Sequence, residues 1–250
     1  GEDLAAVPES PFVGRDLELN QLNEAWNTAR EGGAHLVLVT GEPGIGKTRL
    51  AQELGRRVRA EGHVVASARA YETAGRLPWG PVIDLLRSKA LRSHIDTLDT
   101  VWRTELARLL PELHDAPQPS GRSRSGDLAQ RQRLFDAVSR AIVVADRPRL
   151  LIIDDLQWCD AETIELIGFV VRSARTAPVL FIGTVRSEEL PEHHPLGRLV
   201  DALGHDRAVT TVPLDPLDEA TTARLAARTR PSEAIDPELA ARLWCETEGN

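Results

Sequence analysis

The chain has 250 residues, 42% of them hydrophobic, which is enough for one large domain or one and a half with a real core. A net charge of −8 argues against nucleic-acid binding by bulk electrostatics within this portion, and leaves DNA binding to domains outside it. Cys159 and Cys245 form neither a disulfide framework nor a metal-ligand spacing and read as reduced thiols of a cytoplasmic protein; no apolar run is long enough to span a membrane and no signal peptide opens the chain.

The first apolar run, Leu36–Thr40, reads as a short buried strand. It runs into Gly41-Glu-Pro-Gly-Ile-Gly-Lys-Thr48, which meets the pattern G-x-x-x-x-G-K-[ST], and a helical pattern follows from Arg49. Glycines let such a loop wrap a polyphosphate without Cβ clashes. Its amides and the helix N-terminus then supply positive charge. The nucleotide-binding candidates are therefore Gly41, Glu42, Pro43, Gly44, Ile45, Gly46, Lys47, Thr48 and Arg49, with Lys47 reaching the β- and γ-phosphates and the Thr48 hydroxyl binding Mg²⁺. Lysine occurs only at 47 and 89 in a chain otherwise rich in arginine, so one of the two sits where the loop needs it.

Val64–Ala68 reads as a second strand. Residues 112–127, rich in Pro, Ser and Gly, read as an exposed, mobile loop in which Arg122 and Arg124 are solvated. Asp127–Ala145 is helical, with Leu128, Leu134, Phe135, Val138, Ala141 and Ile142 at helical spacing. The strand Leu150–Asp154 ends in two carboxylates. Delivered to the carboxyl edge of a sheet, Asp154 can hold Mg²⁺ and Asp155 can orient an attacking water; two acids capping the next turn is the plainer alternative. Val179–Thr184 is a strand after which Thr184 and Arg186 face a γ-phosphate if its end lies at that same edge; an ordinary surface ion pair is the alternative for Arg186. His193 and His194 fall in a Pro-flanked polar loop, read as exposed, and the five tryptophans read as packing residues. Ala208–Val212 is the last strand. Leu217–Arg230 and Pro237–Glu248 are helical and suggest a small lid in which the chain stops. With no methionine, even at position 1, the chain is expected to be a piece of something longer. Strands alternating with helices predict an α/β fold with a parallel sheet.

These residues carry a resemblance over nearly the whole chain. Phe12-Val-Gly-Arg-Asp-Leu-Glu-Leu19, the phosphate loop through Leu50, Leu151-Ile-Ile-Asp-Asp-Leu-Gln-Trp-Cys-Asp-Ala161, Arg69–Leu86 and the tail Glu246-Thr-Glu-Gly-Asn250 resemble the nucleotide-binding domain of the STAND class of AAA-like P-loop NTPases. More closely, they resemble the ATPase domains of large bacterial LuxR-type regulators and antibiotic regulatory proteins. The resemblance implies a five-stranded sheet of order 5-1-4-3-2 with flanking helices and a partial helical lid. It places the strand before Arg186 between the phosphate-loop and Walker B strands, makes Arg186 the γ-phosphate sensor, and lines a base pocket with Val13, Gly14 and Arg15.

The expected organisation is a nucleotide-binding domain over residues 1–215 and the start of a lid over 216–250. The expected activity is slow, regulatory ATP hydrolysis with ATP and Mg²⁺ as ligands, acting as a switch in a transcription regulator. The catalytic residues would be Lys47, Asp155 and Arg186, and the metal-facing residues Thr48 and Asp154. DNA would be met only through domains outside this chain, with no membrane partner; nucleotide-dependent self-association is admitted. Ending Walker B in Asp-Asp rather than the Asp-Glu of AAA motors suggests slow turnover. Arg172 and Arg175 are candidate arginine fingers, solvated helix-end arginines being the plainer reading. A scaffold without turnover, a small-molecule P-loop kinase and a ring motor are the alternatives. Nothing separates adenine from guanine.

Overall fold

A computed structural model describes residues 12–72, 78–113, 127–144, 147–186, 188, 193–229, 237–247 and 249. Five strands form one parallel sheet: β1 (His35–Thr40), β2 (Val64–Arg69), β3 (Arg149–Asp154), β4 (Val179–Val185) and β5 (Val209–Pro213). Their spatial order is β2-β3-β4-β1-β5, the predicted 5-1-4-3-2 read from the other edge. Thr40 lies opposite both Val185 and Pro213, and Arg69 opposite Asp154. The carboxyl ends of the strands are therefore level, and whatever each strand carries at its end is delivered to one edge.

Side-chain alternation divides the core. Val37, Val39, Val65, Leu150, Ile152, Leu180 and Ile182 face α1 (Asp16–Arg30) and α2 (Lys47–Ala60). Leu36, Leu38, Ala66, Ala68, Leu151, Ile153 and Phe181 face the other layer. That layer comprises α3 (Gly80–Arg87), α4 (Lys89–Ile95), α5 (Thr100–Leu106), α6 (Asp127–Ile142), α7 (Ala161–Ser173) and α8 (Pro195–His205). Every residue of β3 and β4 is buried, as parallel strands covered on both faces require. Phe135 of α6 packs edge-on to both Trp79 and Phe169, with ring centroids 5.5 and 5.4 Å away. Each such pair contributes about 1 kcal/mol beyond its burial.

Element boundaries differ from the sequence expectation where side chains cap them. α6 ends at Ile142 rather than Ala145 because the buried guanidinium of Arg149 donates to the carbonyls of Ala141 and Ile142, each at 2.7 Å. Leu128, expected on the apolar stripe, is exposed. α9 (Glu219–Thr229) starts after Asp218, whose carboxylate accepts from the Thr221 amide at 2.7 Å. α10 (Pro237–Thr247) follows. Of the expected loop over 112–127, Glu112 and Leu113 belong to a 3₁₀ turn and Glu112 pairs with Arg87; Arg122 and Arg124 lie outside the described residues, as do Arg230 and Glu248. The Gly249 carbonyl accepts from the Leu217 amide at 2.9 Å, which ties the end of the tail to the segment before α9.

Candidate functional site

The loop between β1 and α2 has the backbone its glycines predict. Gly41, Gly44 and Gly46 have φ of 147°, 85° and 101°, values other residues rarely adopt. α2 opens on Gly46 with no side-chain cap and no acid in its first turn, so the positive end of its dipole is left for an outside anion. Ile45 is buried and anchors the loop, while Glu42, Pro43 and Gly44 form its exposed crest. Lys47 is 6% exposed; its Nζ donates to the carbonyls of Gly41 (2.9 Å) and Glu42 (2.6 Å), spanning the loop it belongs to. Arg49 is half-buried on the first turn of α2.

The first turn of α2 and the ends of β3 and β4 meet at Asp154, which is 2% exposed. Its Oδ1 accepts from Thr48 Oγ1 and from Thr184 Oγ1, both at 2.6 Å. Thr184 Oγ1 in turn accepts from the Asp155 amide at 2.8 Å. The phosphate loop, the Walker B strand and the end of β4 are thus joined by one hydrogen-bonded cluster. Beside Thr184, Gly183 leaves room for the Leu156 side chain, whose Cδ2 a Cβ there would meet at 2.5 Å.

Asp155 follows with a left-handed backbone, φ 56° and ψ 47°. Its Oδ2 accepts from Arg69 Nε (3.2 Å) and Nη2 (2.9 Å). Its Oδ1 lies 3.4 Å from both Arg186 Nε and Gln157 Nε2. Gln157 is buried, and its Oε1 accepts from the Arg186 amide at 3.4 Å. The Arg186 guanidinium stacks on the Trp158 ring, 4.6 Å from its centroid, so Trp158 does more than pack. Arg69 and Gln157 were not singled out in the sequence. The signal for Arg69 was its position as the last residue of β2, level with Asp154.

Of the expected base-pocket residues, Arg15 touches the phosphate loop. Arg15 is buried, pairs with Glu18 at 3.0 Å and donates from Nη2 to the Ile45 carbonyl at 3.3 Å, bracing the phosphate loop. Val13 is half-buried beside it. Gly14, with φ 76°, abuts α9: a Cβ there would lie 2.0 Å from Thr221 Cγ2. Other candidates fall elsewhere. Arg175 pairs with Asp206 at 2.7 Å and Arg172 is exposed at the end of α7. His193 is exposed, but His194 is half-buried, because its ring lies 2.9 Å from the Gln157 carbonyl and accepts from the Leu196 amide as the cap of α8. Burial, with the charge of Asp160 adding to it, pushes the Cys159 thiol up to about 12, so no thiolate is offered here.

The donor set fits a magnesium nucleotide. Mg²⁺ takes oxygen ligands in octahedral geometry, usually from one or two protein groups plus phosphate oxygens and water, and Thr48 Oγ1 and Asp154 Oδ1 are the adjacent protein oxygens. Among the described residues there is no group of three or more His, Cys, Asp or Glu that could hold a metal ion. No helix among them is long and apolar enough to cross a membrane.

The family profile described as the AAA ATPase domain matches residues 11–182, more than half of the chain. A curated relative, an uncharacterized protein of Rhizobium meliloti (strain 1021), is 25% identical over 190 residues; the match covers 70% of this chain and 18% of that protein. Among solved structures, Cdc6p from Pyrobaculum aerophilum is similar with a TM-score of 0.51 at 16% identity, over 94% of this chain and 55% of that one. A Signal Transduction ATPase with Numerous Domains with a tetratricopeptide repeat sensor, from Pyrococcus horikoshii, is similar with a TM-score of 0.49 at 19% identity, over 96% of this chain and 29% of that one. The chain thus spans under a fifth of the curated relative and little more than half of Cdc6p.

Proposed function

The chain belongs to the AAA ATPase domain family, and on that footing we propose that it is the nucleotide-operated switch of a larger cytoplasmic transcription regulator of the STAND type. In this reading it binds ATP with Mg²⁺, hydrolyses it slowly, and signals the state of the γ-phosphate to the lid and to domains outside this chain, which alone would meet DNA. Residues 1–215 would be the nucleotide-binding unit and 216–250 the start of the lid; nucleotide-dependent self-association belongs to the same reading. The observation that carries it is the convergence of Thr48 and Thr184 on Asp154 Oδ1, which couples loop, Walker B strand and sensor strand at one point.

The roles follow from geometry. The loop amides and the N-terminus of α2 would bind the phosphates. Lys47 would transfer its donors from the loop's own carbonyls to the β- and γ-phosphate oxygens, leaving the glycine-rich backbone free to close around them. Mg²⁺, when bound, supplies charge neutralisation and polarises the terminal phosphate. Thr48 and Asp154 would hold it. Asp155 would orient the water, and Arg186, pivoting off Trp158, would meet the γ-phosphate. Val13, Gly14 and Arg15 would line the base. Slow turnover is supported by Asp155 itself: both its oxygens face donors from Arg69, Gln157 and Arg186, so neither is presented unengaged to a water.

Calorimetric titration with ATP, ADP and GTP, with and without Mg²⁺, tests the reading. ATP and ADP should bind, with Mg²⁺ strengthening the triphosphate, and Lys47→Glu should abolish the heat while leaving the melting temperature close to wild type. Phosphate release should fall at least tenfold in Lys47→Ala and Asp155→Asn. Release equal to wild type in both variants would mean a contaminating ATPase and would remove the hydrolytic part of the proposal.

A further inference from the structure

A second concavity lies beside these groups, off the carboxyl end of β2. It is a cavity of about 300 Å³ whose lining includes Arg69, Tyr71, Pro81, Ile83, Asp84 and Trp158. The nucleotide reading places no ligand in it, although Arg69 and Trp158 of its lining also contact Asp155 and Arg186. We propose that this cavity binds a small planar aromatic monocarboxylate, and that its occupancy reaches Asp155 through Arg69.

Shape and chemistry select that class. The volume is at the small end for ligand pockets, room for one or two rings. Its walls are two aromatic rings, Tyr71 and Trp158, and its apolar surface comes from Pro81 and Ile83. Tyr71 is 54% exposed, an aromatic side chain with much of its surface left to cover. The polar handle is Arg69. Its Nε and Nη2 are turned to Asp155, and among the described residues its Nη1 has no hydrogen-bond partner. A guanidinium presents several edges, so one can hold Asp155 while another meets a ligand carboxylate.

Asp84 and Asp160 line the cavity with Arg69, so its acids outnumber its one base and a ligand carboxylate is held by direct contact with Arg69 rather than by the cavity's net charge. Asp160 is already engaged: its carboxylate accepts from the Trp79 amide (3.0 Å), the Thr163 amide (2.9 Å) and Thr163 Oγ1 (2.6 Å), capping α7 and fixing the backbone between the lining residues Pro78 and Gly80. Asp84 is exposed on α3 and would oppose a second negative charge. A single carboxylate on an aromatic body satisfies both conditions. Such a ligand competes with Asp155 for Arg69 and lies against the ring on which Arg186 is stacked, so it meets one arginine that holds the hydrolytic carboxylate and the ring that carries the other.

Indole-3-acetate is the probe and tryptamine, the same ring with a cationic tail, the control. Calorimetry on the chain without nucleotide should give saturable binding of indole-3-acetate, weakened at least tenfold by Ile83→Trp, which fills the cavity, and several-fold by Tyr71→Ala, whose exposed position leaves folding intact. Tryptamine should bind at least tenfold more weakly. The probe should also raise phosphate release in wild type and leave it unchanged in Arg69→Gln. Absence of saturable binding at millimolar probe, affinity undiminished in Tyr71→Ala and Ile83→Trp, or preference for tryptamine would each overturn the proposal. Because binding is read without nucleotide, its failure leaves the ATPase reading standing, and failure of nucleotide binding leaves this site testable.

Discussion

Asp155 has more donors around it than a general base can use. Arg69 grips Oδ2 along one edge of its guanidinium, and Gln157 and Arg186 lie against Oδ1. A carboxylate accepts a proton from water only through an oxygen that the water can reach, so each donor removed should bring Asp155 closer to that role. Arg69→Ala is therefore expected to raise phosphate release about tenfold, a small part of what a well-placed base supplies. The rise should appear in kcat with little change in KM, because Arg69 pairs with the acid and not with the phosphate loop. Steady-state kinetics of the variant checks this, and a fall in kcat would mean that Arg69 holds Asp155 in its working position.

At the scale of elements, the strands and their alternation with helices were legible, because β1, β3 and β4 are short apolar runs buried on both faces. The ends of helices were not, because they are set by distant side chains: Arg149 stops α6 from seven and eight residues further along the chain. Contact between Gly14 and α9 was equally hidden, since it joins residues about two hundred positions apart. Gly14→Ala forces a Cβ against Thr221 on a backbone at φ 76°, so nucleotide affinity should fall several-fold and stability by about 1–2 kcal/mol. Thr221→Ser in the same chain should restore part of the loss by removing the opposing methyl; calorimetry and urea unfolding measure both. Burial at the start of β1 pushes the His35 imidazole below its ordinary 6.5, and burial with the charge of Arg149 does the same to His94 on α4. The unfolded chain takes protons on both near pH 6.5 and the folded chain does not, so stability is present above that pH and declines as pH falls below it. The urea midpoint should drop between pH 7.5 and 5.5, and the slope should flatten in His35→Gln/His94→Gln.

For the molecule as a whole, the level carboxyl edge explains which parts of the site could be read in advance. Lys47, Thr48, Asp154 and Asp155 sit in motifs that contain their own context of strand and turn. Arg69 and Gln157 acquire their role only when β2 is laid beside β3 and the turn after Asp155 folds back beneath Arg186. Sequence order does not show that adjacency. The helices α9 and α10 are the lightly packed part among the described residues: Thr221 is the buried residue of α9, and Trp244 of α10 is 38% exposed. Few buried contacts mean low local opening energy, so amides of 219–229 and 237–247 should exchange with solvent faster than those of β3 and β4. ATP with Mg²⁺ should slow that exchange most in the segment facing Gly14. Hydrogen–deuterium exchange with and without nucleotide follows it, and equal protection in both states would separate the lid from the switch.

The left-handed turn at Asp155 carries a consequence for how this chain could change. Positive φ is tolerated by aspartate and asparagine, whose short polar side chains can bond locally, and resisted by longer ones. At that corner the acid is chosen by torsion as much as by reactivity. Lengthening it to glutamate would demand a rebuilt turn as well as a new side chain, so the identity of the acid and the shape of the peptide after β3 are inherited together.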